Sequence, residues 1–172
     1  MDSSFFAYIQ RLELMAFFSG YPLVYAVILA IAGNQQSKNN YRSRLTSFLP
    51  FAYALLGTLY LGLQLKNLYA GHSDENIKLL LHQPYLKIWG LLSILFWVPA
   101  LGKKPFLSLL HSFVFFFFLV KDLFFPLPGA SADGNIVGND MKIYTDSLIL
   151  TLAAFALILL ISFLFARYKK IF

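Results

Sequence analysis

Long apolar runs with almost no charge constrain this chain more than anything else in it. From Leu14 to Gly33 there is no charged residue, and a helix rising 1.5 Å per residue over such a run reaches about 30 Å, the thickness of a bilayer's hydrocarbon core. Further runs follow at 48–69, 84–101, 105–125 and 144–166. The composition agrees: 59% of residues are hydrophobic and 13% charged, against roughly 25% charged in a soluble domain. The sequence therefore predicts an all-α, polytopic transmembrane bundle, a single membrane domain over residues 1–172 with five spans. A four-span alternative, in which one arm of a hairpin is re-entrant, follows from the shortness of the third run.

Local signals refine these runs. Gly20, Tyr21 and Pro22 fall inside the first run, and a proline there removes a backbone hydrogen bond and kinks the helix unless a neighbour satisfies the freed carbonyl. Pro50 stands in the first turn of the second run, where the missing N–H matters little. Lys66, one turn from the end of that run, can snorkel to the headgroups. Only Gly102, Lys103 and Lys104 separate the third and fourth runs. Three residues can join only adjacent antiparallel helices, so a helical hairpin with a dibasic tip is expected.

Charge sets the orientation. Lys38, Arg42, Arg44, Lys103, Lys104, Arg167, Lys169 and Lys170 fall on one side of the alternating runs with no acidic residue among them, while all eight Asp and Glu fall on the other. Cytoplasmic loops carry the Lys/Arg excess, which places the N-terminus outside and the C-terminus in the cytoplasm, with these residues as cytoplasmic anchors. The net charge of +6 is thereby accounted for without nucleic acid as a partner. The start of the chain lacks the pattern of a cleaved signal peptide. With the compact loops, this makes a bacterial inner membrane the expected location.

Chemistry is sparse. The chain has no cysteine, which excludes disulfides, thiolate catalysis and Cys-ligated metals. No Asp, Glu, Lys or Arg lies in the middle of a span, and such groups are the usual mark of an ion or proton pathway. His111 is the one ionisable side chain well inside a run. Ser108, His111 and Ser112 share a helix face, read either as a polar intramembrane site or as a neutral histidine bonding to a neighbouring helix. His72, Asp74, Glu75 and His82 form an outer polar cluster that lacks the spacing of a zinc helix, so neither a metal nor a cofactor is expected.

Packing signals are clearer. Ala26 and Ala30 in the first span, and Thr58 and Gly62 with Gly57 in the second, are small residues at helical spacing that let helices approach closely, within or between chains. Phe113 and the run 115–118 are expected to face mainly lipid or partner. Tyr21, Tyr25, Tyr53, Tyr60, Trp89 and Trp97 are amphipathic, and those near span ends suit the membrane interface. Three function classes follow. The first is an accessory or scaffolding subunit bound to other membrane proteins or to copies of itself. The second is a self-assembling pore lined by His111, Ser108 and Ser112, or by Thr145, Ser147 and Thr151. The third is an interfacial enzyme using the outer His/Asp/Glu cluster.

Overall fold

A computed structural model of the protein describes residues 12–33, 39–70, 84–124 and 135–168. In chain order these form α1 (12–18), α2 (Tyr21–Gly33), α3 (Asn39–Ala70), α4 (Pro84–Leu92), a 3-10 segment (Ser93–Trp97), α5 (Pro99–Gly102), α6 (Pro105–Phe124) and α7 (Asn135–Tyr168). There is no strand among the described residues. Helices satisfy every backbone N–H and C=O within one segment, which is what an apolar solvent demands. Three stretches are long and apolar enough to cross a membrane, Leu12–Ile31, Leu45–Tyr69 and Met141–Tyr168. Two shorter apolar helices accompany them, Pro84–Trp97 and Pro105–Lys121.

The first long stretch is broken where the proline predicts, but two residues early. Ser19 still donates its N–H to Met15 O at 3.0 Å, and Val24 resumes the ladder on Gly20 O at 3.2 Å. Between them the Gly20 N–H leaves the helix and donates to Ser147 Oγ of α7 at 2.9 Å. A neighbouring helix thus repairs the break, as backbone at membrane depth requires. Gly20 is needed for the approach, since a Cβ there would lie 2.7 Å from Ser147 C and Leu148 N.

The third run is not one helix to Leu101. It tightens into the 3-10 segment and stops at Val98, whose φ of −70° and ψ of 127° are extended. Pro99 is the cause. It cannot donate to Leu95 O, and its ring pushes the preceding residue out of the helical region; the Val98 N–H bonds Leu95 O instead, at 2.9 Å. One turn, α5, then leads through Lys103 and Lys104 into α6, where Leu107 N–H closes on Lys104 O at 3.0 Å. The two runs are adjacent in space, as a three-residue connection requires.

α3 lies in the middle and touches α2, α4, the 3-10 segment, α5, α6 and α7. Its inward face, with Leu49, Tyr53, Leu56 and Tyr60 wholly buried, meets Phe18 and Tyr21. One expectation needs correction. Phe115 is a core residue, 1% exposed and stacked on Phe18 at 4.8 Å, whereas Phe113 and Phe117 do face outward. Tyr21, Tyr53 and Tyr60, which stand inside their runs rather than at the ends, are core residues as well. Aromatic rings fill wide gaps between helices, and one hydroxyl can be accommodated wherever a partner stands across the gap.

Candidate functional site

Tyr53, Gly57, Tyr60 and Gln64 fall on one stripe of α3, at four- and three-residue steps. The helices facing that stripe bring polar side chains to it in two groups. At one end Tyr53 Oη lies 2.8 Å from His111 Nδ1 of α6, and Tyr21 Oη lies 2.7 Å from Ser108 Oγ. The Tyr21 and Tyr53 rings are in contact, 4.5 Å between centroids.

The imidazole of His111 is held on all sides. Trp89 of α4 stacks on it in parallel, at 4.6 Å and 4°, and donates its indole N–H to His111 O at 3.3 Å. Phe96 stands edge-on at 6.0 Å. Nδ1 has the tyrosine, but Nε2 is buried without a hydrogen-bond partner. In a neutral imidazole one nitrogen donates and the other accepts, so either tautomer leaves Nε2 with one unmet demand.

The second group lies toward the opposite end of α3. Gln64 donates to Glu13 Oε2 of α1 at 3.4 Å. Glu13 is half-buried and within Coulombic reach of Lys87 of α4 and of Tyr60. Lys87 is only 7% exposed. The Tyr60 hydroxyl, on a side chain 0% exposed, has no hydrogen-bond partner. Gly90 of α4 makes room for this group. A Cβ there would meet Leu14 at 2.8 Å, Phe18 at 3.2 Å and the Tyr60 ring at 3.3 Å.

No protein-family model, curated protein or solved structure matches the chain.

The residues singled out by sequence fall in different places. His111 faces the interior with Tyr53, while Ser108 and Ser112 are wholly buried. The two serines close on carbonyls of their own helix, Ser108 on Pro105 O at 2.7 Å and Ser112 on Leu109 O at 2.8 Å. Ser147 and Thr151 are buried between helices, and Thr151 bonds Ser147 O at 2.8 Å; Thr145 is exposed. Gly57 is buried where a Cβ would collide with Ser93 Oγ.

Ala26, Ala30, Thr58 and Gly62 are exposed, and a Cβ on Gly62 would meet nothing within 4 Å. Trp97 reaches across to Thr58 Oγ1 at 2.9 Å. Lys103, Lys104 and Arg167 are exposed. His72, Asp74, Glu75, His82, Lys38, Lys169 and Lys170 lie outside the described residues, as do the side chains of Arg42 and Arg44. Among the described residues no three His, Asp or Glu side chains come together as metal ligands would.

Sequence reading missed Glu13, Lys87, Tyr60 and Tyr53 as a set. Lys87 sits one turn into its run and Glu13 just before another, so each resembles an end-of-span charge. The signal available was the α3 stripe itself, three polar groups on one face of an apolar helix.

Proposed function

We propose that this chain is an accessory or scaffolding subunit of a membrane complex, crossing the bilayer five times with its N-terminus outside and its C-terminus in the cytoplasm. Twenty residues in α6 extend about 30 Å, enough for a fourth crossing. The fifth is formed by α4, the 3-10 segment and α5 together. The Lys/Arg asymmetry supplies the orientation.

One observation carries the scaffolding role. Three of the small residues that let helices approach closely, Ala26, Ala30 and Gly62, lie on outer faces of the bundle. On α2 the exposed face is Leu23, Ala26, Val27, Ala30 and Ile31; on α3 it is Thr58, Leu59, Gly62 and Leu65. On each face small residues stand among exposed apolar side chains, the pattern that lets a second transmembrane helix approach closely. The interior, by contrast, is filled by rings, and the serines a pore between copies would need are turned inward.

The reading is tested in the native membrane. Cross-linking followed by mild-detergent purification is expected to give a discrete complex, its mass separating a foreign subunit from a second copy. Ala26→Trp and Gly62→Trp place bulk on the two exposed faces and are expected to abolish it. A chain that runs alone after cross-linking overturns the proposal.

A further inference from the structure

We propose that the C-terminal end of α7 holds an anionic phospholipid, its phosphate against the basic residues that close the span and its acyl chains along the apolar stripe before them. The proposal rests on the five-span arrangement above, in which the first and last spans run the same way through the bilayer. Those two spans meet where the Gly20 N–H donates to Ser147 Oγ at 2.9 Å. From that contact α2 continues for 13 residues, to Gly33, about 20 Å of rise, whereas α7 reaches Arg167 after about 30 Å. The last span therefore outruns the first by about 10 Å.

Burial along α7 follows that mismatch. Ser147, Thr151, Ala154, Phe155 and Ile158 form its buried stripe, which ends before the level at which α2 stops. Every residue from Phe163 to Tyr168 is exposed, more than one full turn, so all faces of the helix end are open. Ile161, Leu164, Phe165 and Tyr168 border an open recess of about 250 Å³; they recur at three- and four-residue steps and so form one stripe along the axis. Arg167 is exposed one turn beyond Leu164, and the sequence continues with Lys169 and Lys170. The segment that follows α2 brings Lys38, Arg42 and Arg44, and neither stretch has an acidic residue.

Charge decides between a lipid and a protein at this end. A second copy docked there in parallel would bring the same cations to the same level, and like charges facing each other oppose association. Acyl chains can also wrap all sides of a helix end at once, which one docked helix cannot. Between lipids, a zwitterionic headgroup carries its own cation beside the phosphate, whereas an anionic one leaves the negative charge to the protein, and each Lys or Arg near it adds to the attraction. The guanidinium of Arg167 suits a phosphate in particular, because its planar fork can donate two parallel hydrogen bonds. A free phosphate would meet the cations and leave the apolar stripe uncovered.

The test is native mass spectrometry of the purified full chain in mild detergent, titrated with phosphatidylglycerol, with phosphatidylcholine of the same acyl chains, or with glycerol phosphate. Phosphatidylglycerol is expected to bind about tenfold more tightly than phosphatidylcholine, and glycerol phosphate to leave no adduct. Arg167→Gln is expected to weaken phosphatidylglycerol about fivefold, the loss of one basic contact, and to leave phosphatidylcholine unchanged. Phe165→Ala is expected to weaken both lipids, and Lys121→Gln, an exposed cation in the last turn of α6, to change neither. Equal binding of the two lipids overturns the proposal, as does an Arg167→Gln chain that keeps the wild-type preference. So does a lipid-free dimer that Phe165→Ala dissociates. The isolated chain is measured in detergent, so a loss of lipid selection is a separate result from a missing partner subunit or a reversed topology.

Discussion

Tyr53 and Tyr60 are two turns apart on the same stripe of α3 and both wholly buried, yet their hydroxyls are in opposite situations. Tyr53 Oη has His111 Nδ1 at 2.8 Å, while Tyr60 Oη has no hydrogen-bond partner. Removing one half of a buried hydrogen bond leaves the other half unsatisfied, whereas removing an unpaired polar atom relieves a penalty. Tyr53→Phe is therefore expected to lower stability by about 1–2 kcal/mol, and Tyr60→Phe to leave it equal or slightly raised. Reversible unfolding in mixed micelles, followed by circular dichroism, measures both. Equal losses would mean that ring packing, not the hydroxyl, decides the two sites. Ser147 makes the same point for the backbone. It takes the N–H that Gly20 withdraws from its helix, and Ser147→Ala is expected to destabilise by about 1 kcal/mol in the same assay.

Helices here meet through their smallest residues, and the structure separates those spent inside the chain from those left outside. Gly57 abuts Ser93 and Ile94, while Gly62, five residues on in the same helix, faces open space. A methyl group at position 57 must push the 3-10 segment away, and overpacking of this kind costs about 1–3 kcal/mol. At position 62 the same methyl removes backbone freedom from the unfolded chain and is worth up to about 1 kcal/mol of added stability. Gly57→Ala is thus expected to lower the midpoint of micelle unfolding and Gly62→Ala to hold or raise it; the reverse order would place the 3-10 segment elsewhere. The same contrast explains Pro22 and Pro99. Both prolines interrupt a run, but the first break is mended by Ser147 across the bundle, and the second is left as a turn, where α5 begins.

At the scale of the whole molecule, topology is the decisive test, and the absence of native cysteine makes it direct. Lys38→Cys and Lys103→Cys are expected to resist a membrane-impermeant maleimide in intact cells and to react once the membrane is opened; labelling from outside would reverse the proposed orientation. The apolar runs, their helical state and the break near Pro22 were legible in the sequence, because each follows from a segment's own length, hydropathy and backbone donors; the break at Pro99 rests on the same missing donor but was not read there. Which side of each helix points inward was not. In water an amphipathic stripe announces the core, but lipid is as apolar as a packed interior, so Phe115 and Phe117, two residues apart in one aromatic run, look alike in sequence and differ from 1% to 65% exposed in the fold. Only the docking of α1, α4 and α6 around α3 decided that difference. The same docking brought Glu13 to Gln64 and His111 to Tyr53, across sequence separations of 51 and 58 residues, through the rotation of each helix about its own axis.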